Sequence, residues 1–312
     1  MIYLQNLIKE IILYTMKKEL KNYFLLPFNI LSRISPELNM RILFRIKCGY
    51  SLNLKNPTTY NEKLNWLKLY YRNDLLPKCA DKYLARDYII GKGYGEYLPK
   101  LYWHGEKPEE IPFDMLPNSF VIKSTSGSGN NIIVHDKNKL DIKKVKGKIN
   151  KWLKEKYLPA YGEWHYEKIK PSIIVEQFLS DGTNEVPADY KLFCFNGLNG
   201  GVMCTAVDID RFIGHRRLIY SDDWKYLADV DFGFDNAGKD LIPKPVCYER
   251  MCEIAKDLAQ PFPHCRVDFF VIKDKLYIGE ITFFNGAGFD KVSPREYNIK
   301  MGEAILLPTK NK

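Results

Sequence analysis

The sequence predicts an α+β fold in which a mainly helical N-terminal region, residues 1–95, precedes two strand-rich lobes over 96–180 and 181–312. Three observations predict it. Apolar residues recur at helical spacing as far as residue 90. From about residue 97 Pro and Gly punctuate short β-rich runs. Beyond residue 188 two pairs of alternating apolar runs each flank a tight turn, one of them holding Asn196-Gly197.

Residues 1–47 set Leu4, Leu7, Ile8, Ile11, Ile12 and Leu13 ahead of basic residues. That is the pattern of an amphipathic helix that packs on the protein's own core or lies on a membrane surface. Leu64, Leu67, Tyr70 and Tyr71 keep helical spacing behind Pro57-Thr58-Thr59, a helix start ahead of Asn61 and Glu62. Residues 81–90 form another amphipathic helix, closed by Gly91, Gly93 and Gly95. Residues 120–122 and 132–134 read as strands joined by a small-residue loop, 141–157 as a basic helix and 172–179 as a buried strand. A turn follows at 181–188, with Asp181-Gly182 and Pro187. Residues 190–195 and 201–206 flank Asn196-Gly197 as a hairpin. A helix over 245–260 precedes a second hairpin, 267–273 with 276–282, turning at Asp274.

Composition narrows the function classes. With 46% hydrophobic and 14% aromatic residues in 312 positions, the chain has enough apolar surface for a sizeable core, which excludes global disorder. The formal net charge of +9 favours nucleotides, nucleic acid, acidic glycans or anionic membranes without choosing among them. Seven cysteines form no CxxC pair and no secreted-type framework, so they read as reduced, small hydrophobes. Five histidines show neither HxxxH nor HExxH spacing, which speaks against a zinc site. No apolar run reaches the ~20 residues of a membrane span, and no small-residue cleavage site follows the N-terminal segment. The expected location is cytoplasmic, with the inner face of the membrane within reach of the N-terminal helix.

Two constellations carry chemistry. Ser126, Gly127, Ser128 and Gly129 offer backbone N–H groups and room for a triphosphate, and Lys123 at the strand end adds a point charge. The loop does not fit GxxxxGK[ST], and a strand rather than a helix follows it. A loose hairpin turn would show the same residues. In the last hairpin Arg266 and Asp268 alternate on one face and Glu280 lies roughly opposite on the paired strand. Two such carboxylates suit Mg²⁺, which takes oxygen ligands and shares them with phosphate. The neighbouring Phe269-Phe270-Val271 and Tyr277-Ile278-Gly279 suggest a central, buried strand pair, where unpaired carboxylates are costly. Between these lie the apolar strand holding Glu176, Gln177, Phe178 and Leu179, suited to an adenine edge, and the strand-face pair Asp189 and Lys191, suited to a ribose hydroxyl and a phosphate.

In order along the chain, Lys82, Lys123 with its loop, Glu176 to Leu179, Asp189-Tyr190-Lys191, Arg266-Val267-Asp268 and Glu280-Ile281-Thr282 resemble the ATP-grasp superfamily. The segments at 60–66 and 279–284 resemble its branch named for teichuronopeptide biosynthesis, and the likeness covers about residues 50–300. The resemblance implies two α+β lobes gripping ATP. It puts Lys82 and Lys123 on phosphates, residues 176–179 at adenine, Asp189 near ribose, and Asp268 and Glu280 on Mg²⁺. Many members carry Asn two residues after the metal-binding Glu; here that position is Thr282 and the nearest Asn is Asn285, so both are candidate third ligands. Arg266 and Lys191 are the implied catalytic cations. The implied reaction phosphorylates a carboxylate and lets an amine displace phosphate; the expected partners are an acidic glycan or sugar-nucleotide carboxylate of surface-polysaccharide synthesis and an amino acid or amine.

Other readings stay open on sequence alone. Arg211, Arg216 and Arg217 suit a triphosphate, an acidic substrate or plain solvent, and Trp164, His165 and Tyr166 suit a sugar-stacking lid or a core anchor. A glycosyltransferase would use Asp208-Ile209-Asp210 as a DxD motif, and a kinase would use the same nucleotide grip on a hydroxyl. A non-enzymatic basic module, binding nucleic acid or membrane, explains the charge but not paired carboxylates on buried strands.

Overall fold

The computed structural model describes residues 23–155, 157–180, 187–209, 215–236 and 241–310. The apolar run at residues 4–13, the turn at 181–186 and Arg211 lie outside these residues. Residues 23–34 (α1) and Pro36–Cys48 (α2) are helical, followed by α3 (Tyr60–Tyr70), α4 (Leu75–Ala80) and α5 (Leu84–Gly91). Thr59 and Glu62 form a reciprocal capping box at the start of α3, which satisfies two N–H groups that the first turn leaves open. Asp81 accepts from the backbone of Tyr83 and Leu84, so the helix expected from residue 81 begins at Leu84.

Two sheets follow, antiparallel except where the short β8 runs parallel to β7. A four-stranded sheet runs in the order β1-β4-β2-β3, from β1 (Leu101–Gly105), β2 (Phe120–Ser124), β3 (Asn131–Val134) and β4 (Ile173–Gln177), and α6 (Ile142–Leu153) covers one face. A six-stranded sheet runs β10-β9-β5-β6-β7-β8, from β5 (Asp189–Phe195), β6 (Val202–Ile209), β7 (Arg216–Ser221), β8 (Asp235–Asn236), β9 (His264–Ile272) and β10 (Lys275–Thr282), with α7 (Tyr248–Ala259) against it. Helix α8 (Arg295–Glu303) packs on α3, where a Cβ at Gly302 would come within 2.1 Å of the Thr58 carbonyl. The small sheet and α6 enclose their own core around Phe120, Ile149 and Val175. The N-terminal helices instead share one core with the large sheet, through residues such as Phe44, Leu64, Phe195 and Phe269.

Two expectations are corrected. Asn196-Gly197 does not form a two-residue turn: residues 196–201 connect β5 to β6, and Gly197 is needed because a Cβ there would lie 2.5 Å from the Ala304 carbonyl. The last hairpin is not central. Strand β9 lies between β10 and β5, but β10 is the sheet edge. Lys273 and Asp274 turn it with positive φ at both positions, 49° and 64°.

Candidate active site

Strand register decides which charges meet. Glu280 pairs with Asp268, Thr282 with Arg266, and Lys191 with Asp268, so side chains of β5, β9 and β10 emerge on one face. Asp189 pairs with Asp208, and Asp208 with Arg217, which carries the charged row on to β6 and β7.

The Arg266 guanidinium sits at the centre of four oxygen-bearing side chains. It donates to both Asp268 oxygens at 2.6 Å, to Asn285 Oδ1, to Thr282 Oγ1 at 3.3 Å, and lies 3.5 Å from Glu280 Oε1. These four are the residues the sequence offers as metal ligands. The set is all oxygen, two of its members are carboxylates, and Glu280 keeps 37% of its side chain exposed, which fits Mg²⁺ shared with phosphate. Burial alone would raise the Asp268 carboxyl, but Arg266 and Lys191 together hold it below the usual carboxylate range. The same pairing offsets burial at Arg266, whose guanidinium is held even more firmly charged than usual.

Lysine 191 is enclosed by acids: Asp189, Asp268 at 3.0 Å and Asp208 at 3.7 Å. Asp189 is 2% exposed beside it. Asp208 would also be raised by burial, yet the bidentate Arg217 contacts at 2.5 and 2.8 Å pull it well below the usual range. A carboxylate committed to a buried guanidinium in this way is not a free DxD ligand; Asp210 lies outside the described residues.

One amine joins the two sheets. Lys82 Nζ donates to the Gly127 carbonyl at 2.7 Å and lies 3.8 Å from Glu280 Oε2. Its backbone N–H is fixed by Thr125 at 2.9 Å, just after β2. Positive φ at Gly127 and Gly129, 71° and 81°, lets the loop fold back toward it. Lys123 pairs with Glu176 on the neighbouring strand, and both line a small pocket with Lys82 and Glu280. That pocket adjoins a cleft of ≈ 1110 Å³, whose lining includes Lys82, Ser126, Gly127, Ser128, Arg266 and Glu280. Asp268, at 2% exposure, stands behind Arg266 rather than on the cleft wall.

Of the adenine candidates, Glu176 turns its carboxylate to Lys123, Gln177 accepts from the Lys100 N–H at 3.3 Å, and Phe178 meets the His135 ring edge-on at 5.0 Å. Leu179 is half-buried beyond the end of β4. His165 is a core residue, 1% exposed between Tyr166 and Phe284, and burial lowers its imidazole to about 3. Trp164 and Tyr166 remain on the cleft wall.

A support that sequence reasoning missed is the polar face of α3. Asn61 and Asn65 donate to the Gly288 carbonyl at 3.1 and 2.9 Å, Asn61 also to the Asp290 carbonyl at 2.8 Å, and Lys68 to the Ala287 carbonyl at 2.5 Å. They hold the segment after β10 so that Asn285 reaches Arg266 on one side and donates to Asp290 at 2.7 Å on the other. Gly286, at φ 52°, passes so near Asp290 that a Cβ would come within 1.7 Å of its carboxylate. Burial raises the Asp290 carboxyl, and it lowers Lys68 to about 7. The spacing 61, 65, 68 was visible in the sequence, but it is also what a solvated helix face shows.

Comparison with known proteins adds to this geometry. A family model described as TupA-like ATPgrasp matches residues 62–306. No curated protein matches the sequence. Among solved structures, an N5-carboxyaminoimidazole ribonucleotide synthetase in its ADP complex is 15% identical, with a TM-score of 0.43, over 71% of this chain and 50% of that one. An L-amino acid ligase from Bacillus licheniformis is 14% identical with a TM-score of 0.43, over 68% of this chain and 44% of that one. D-Alanine-D-alanine ligase from Helicobacter pylori is 15% identical with a TM-score of 0.44, over 79% and 69%. This chain thus spans about half the length of the first two.

Proposed function

The chain belongs to the TupA-like ATP-grasp family, and from that premise we propose that it is an ATP-dependent carboxylate–amine ligase. The observation that carries the reading is Lys82, whose one ammonium touches both the small-residue loop of the four-stranded sheet and Glu280 of the six-stranded sheet. A group placed there meets a cationic, loop-backed wall and an acidic wall at once, which is what a polyphosphate with its counter-cation requires.

In this reading residues 96–180 and 181–312 form the two gripping lobes, with 1–95 as the helical support. Lys82, Lys123 and the 126–129 loop take the phosphates, residues 176–179 the adenine and Asp189 the ribose. Asp268, Glu280, Thr282 and Asn285 are the residues that would hold Mg²⁺, which when bound neutralises charge on the phosphates. Arg266 faces the cleft and steadies the transferring phosphoryl group, while Lys191 acts at one remove by holding Asp268. The carboxylate oxygen of the acceptor takes the γ-phosphoryl, ADP departs, and an amine then displaces phosphate to leave an amide. No protein nucleophile takes part.

The cleft continues away from Arg266 between Lys47, Lys68, Arg72, Tyr161 and Trp164. Cations beside aromatic rings suit an acidic sugar, and Arg72 already lies over the Trp164 ring at 4.8 Å. A uronic-acid carboxylate of a surface-polysaccharide precursor is therefore the acceptor assigned here, with an amino acid as the amine, and the reaction belongs to the cytoplasm. Among the described residues no helix is long and apolar enough to cross a membrane.

ADP release with Mg²⁺, screened over uronic-acid glycans and amino acids, tests this. Amine-dependent release with an amide-linked product is expected. A phosphorylated glycan formed without amine would make the chain a kinase; no ATP turnover with retention on heparin or DNA would make it a binding module.

A further inference from the structure

The outer face of the N-terminal helix pair carries large apolar side chains at every fourth position. Leu26, Ile30, Ile34, Leu38, Ile42 and Ile46 are 55, 57, 77, 48, 37 and 55% exposed. Tyr23 and Phe24, at 79% and 59%, prolong the row at its N-terminal end. The same helices bury Leu25, Met40, Leu43 and Phe44, so they already have a core-facing side and the exposed row is a second apolar face. Within each helix the row runs about 12 Å over three side chains, and Ser35, with φ −144° and ψ 88°, separates the two stretches. Single exposed apolar residues need no explanation, but six at regular spacing on two adjoining helices do.

The charges beside the row say what covers it. Of the four cations in residues 23–48, Arg33 and Lys47 line the cleft, which leaves Arg41 and Arg45 with the one acid, Glu37, off the cleft lining. Arg41 and Arg45 follow Leu38 and Ile42 by three positions, which puts them alongside the row. Arg41 is engaged by Glu37 at 2.8 Å and by the Leu52 carbonyl at 2.8 Å, while Arg45 is exposed. A second copy of the chain docked on this face would oppose like charges across a two-fold interface, on a protein of net charge +9. An anionic lipid surface answers both features, because its acyl boundary takes the apolar row and its phosphates take the arginines.

We propose that the α1–α2 face docks on an anionic phospholipid bilayer. The helix pair then faces two ways: Arg33, Asn39, Met40 and Lys47 line the cleft, while the leucine and isoleucine row meets lipid. Docking brings the acceptor end of the cleft next to the membrane surface. The docking itself rests on the exposed row and Arg45 and not on the ligase reading; only the naming of the cleft's acceptor end rests on that reading.

The test is co-sedimentation of the full chain with phosphatidylcholine vesicles, with and without phosphatidylglycerol. Binding is expected only with phosphatidylglycerol and is expected to fall about tenfold or more in Ile34→Asp/Ile42→Asp and in Arg45→Glu. These positions are outside the cleft lining, so the thermal unfolding midpoint and far-UV circular dichroism should match the parent chain and report that the variants fold. Failure to sediment with either vesicle, or equal sedimentation by the variants, overturns the proposal. So does a dimer in size-exclusion chromatography that Ile34→Asp/Ile42→Asp converts to a monomer without any vesicle binding, because the face would then be an interface between copies.

Discussion

The Lys123–Glu176 pair can separate folding from nucleotide binding, because the lysine that pairs with Glu176 is also the one proposed to meet phosphate. Glu176 is 8% exposed and Lys123 25%, so Lys123→Met leaves a carboxylate in a nearly dry place. Breaking a fully buried pair costs about 3–5 kcal/mol. Lys123 is partly solvated and Arg86 adds a second positive charge near Glu176, so we expect the lower figure of about 2 kcal/mol here. That is a fall of about 3 °C in the unfolding midpoint of a chain this long. The double variant Lys123→Met/Glu176→Gln removes the stranded charge and should regain most of the loss. It should not regain nucleotide affinity: a charge-assisted hydrogen bond to phosphate contributes about 1.5–3 kcal/mol, so ADP should bind about 10- to 150-fold more weakly in both variants. Differential scanning fluorimetry reads the first effect and calorimetric titration with Mg·ADP the second. Wild-type ADP affinity in the double variant would refute the phosphate role of Lys123, and an unchanged midpoint in the single variant would refute the stability reasoning.

Three further outcomes follow from burial. Glu280→Gln should lower ATP turnover at least about 100-fold, a loss of some 3 kcal/mol in transition-state stabilisation, with an unfolding midpoint near the parent's because Glu280 is 37% exposed; Asp268→Asn should lose turnover and also melt earlier, since the buried Arg266 would lose the carboxylate it grips with two hydrogen bonds and Lys191 one of its three acids, and equal melting of the two variants would contradict this. The imidazole of His165 is held near 3, so the native protein carries no proton there while the unfolded chain takes one up below pH 6.5, and stability drains by about 1.4 kcal/mol per pH unit as pH falls from 6.5 toward 3. His165 Nδ1 has no hydrogen-bond partner, so His165→Phe should melt above the parent by a margin that widens between pH 7 and pH 5, whereas a margin independent of pH would reject the buried neutral ring. Lys68 is lowered to about 7 by burial, so the unfolded chain holds one more proton between pH 7 and 10; the parent's stability should rise relative to Lys68→Met by about 1.4 kcal/mol per pH unit from pH 7 to 9, and parallel urea-unfolding profiles would refute it.

How much of this was legible in the sequence depends on the range of the interactions. The β9–β10 hairpin was readable because alternation and a tight turn are local, and register then fixes Glu280 opposite Asp268. The Thr59–Glu62 capping box is equally local. The strand order β1-β4-β2-β3 and the addition of β7 at Arg216–Ser221 rest on pairing between distant segments, which no local pattern encodes. Asn196-Gly197 misled because Gly197 answers a contact with Ala304, more than a hundred residues away, rather than a turn. At the candidate site the residue types were visible, but their partners were not. Arg266 was expected beside the carboxylates, yet nothing in spacing says that its guanidinium would gather Asp268, Thr282, Asn285 and Glu280 around itself. Likewise Asn61, Asn65 and Lys68 look like a wet helix face until the 285–290 segment folds onto them.

The most direct test of the proposed nucleotide site is a crystal structure with Mg·ADP. Phosphate density between Lys82, Lys123 and the 126–129 loop, with the cation against Glu280 and Asp268, is the predicted result. Nucleotide bound elsewhere with Lys82 still bridging Gly127 and Glu280, or no nucleotide at saturating concentration, would contradict the assignment.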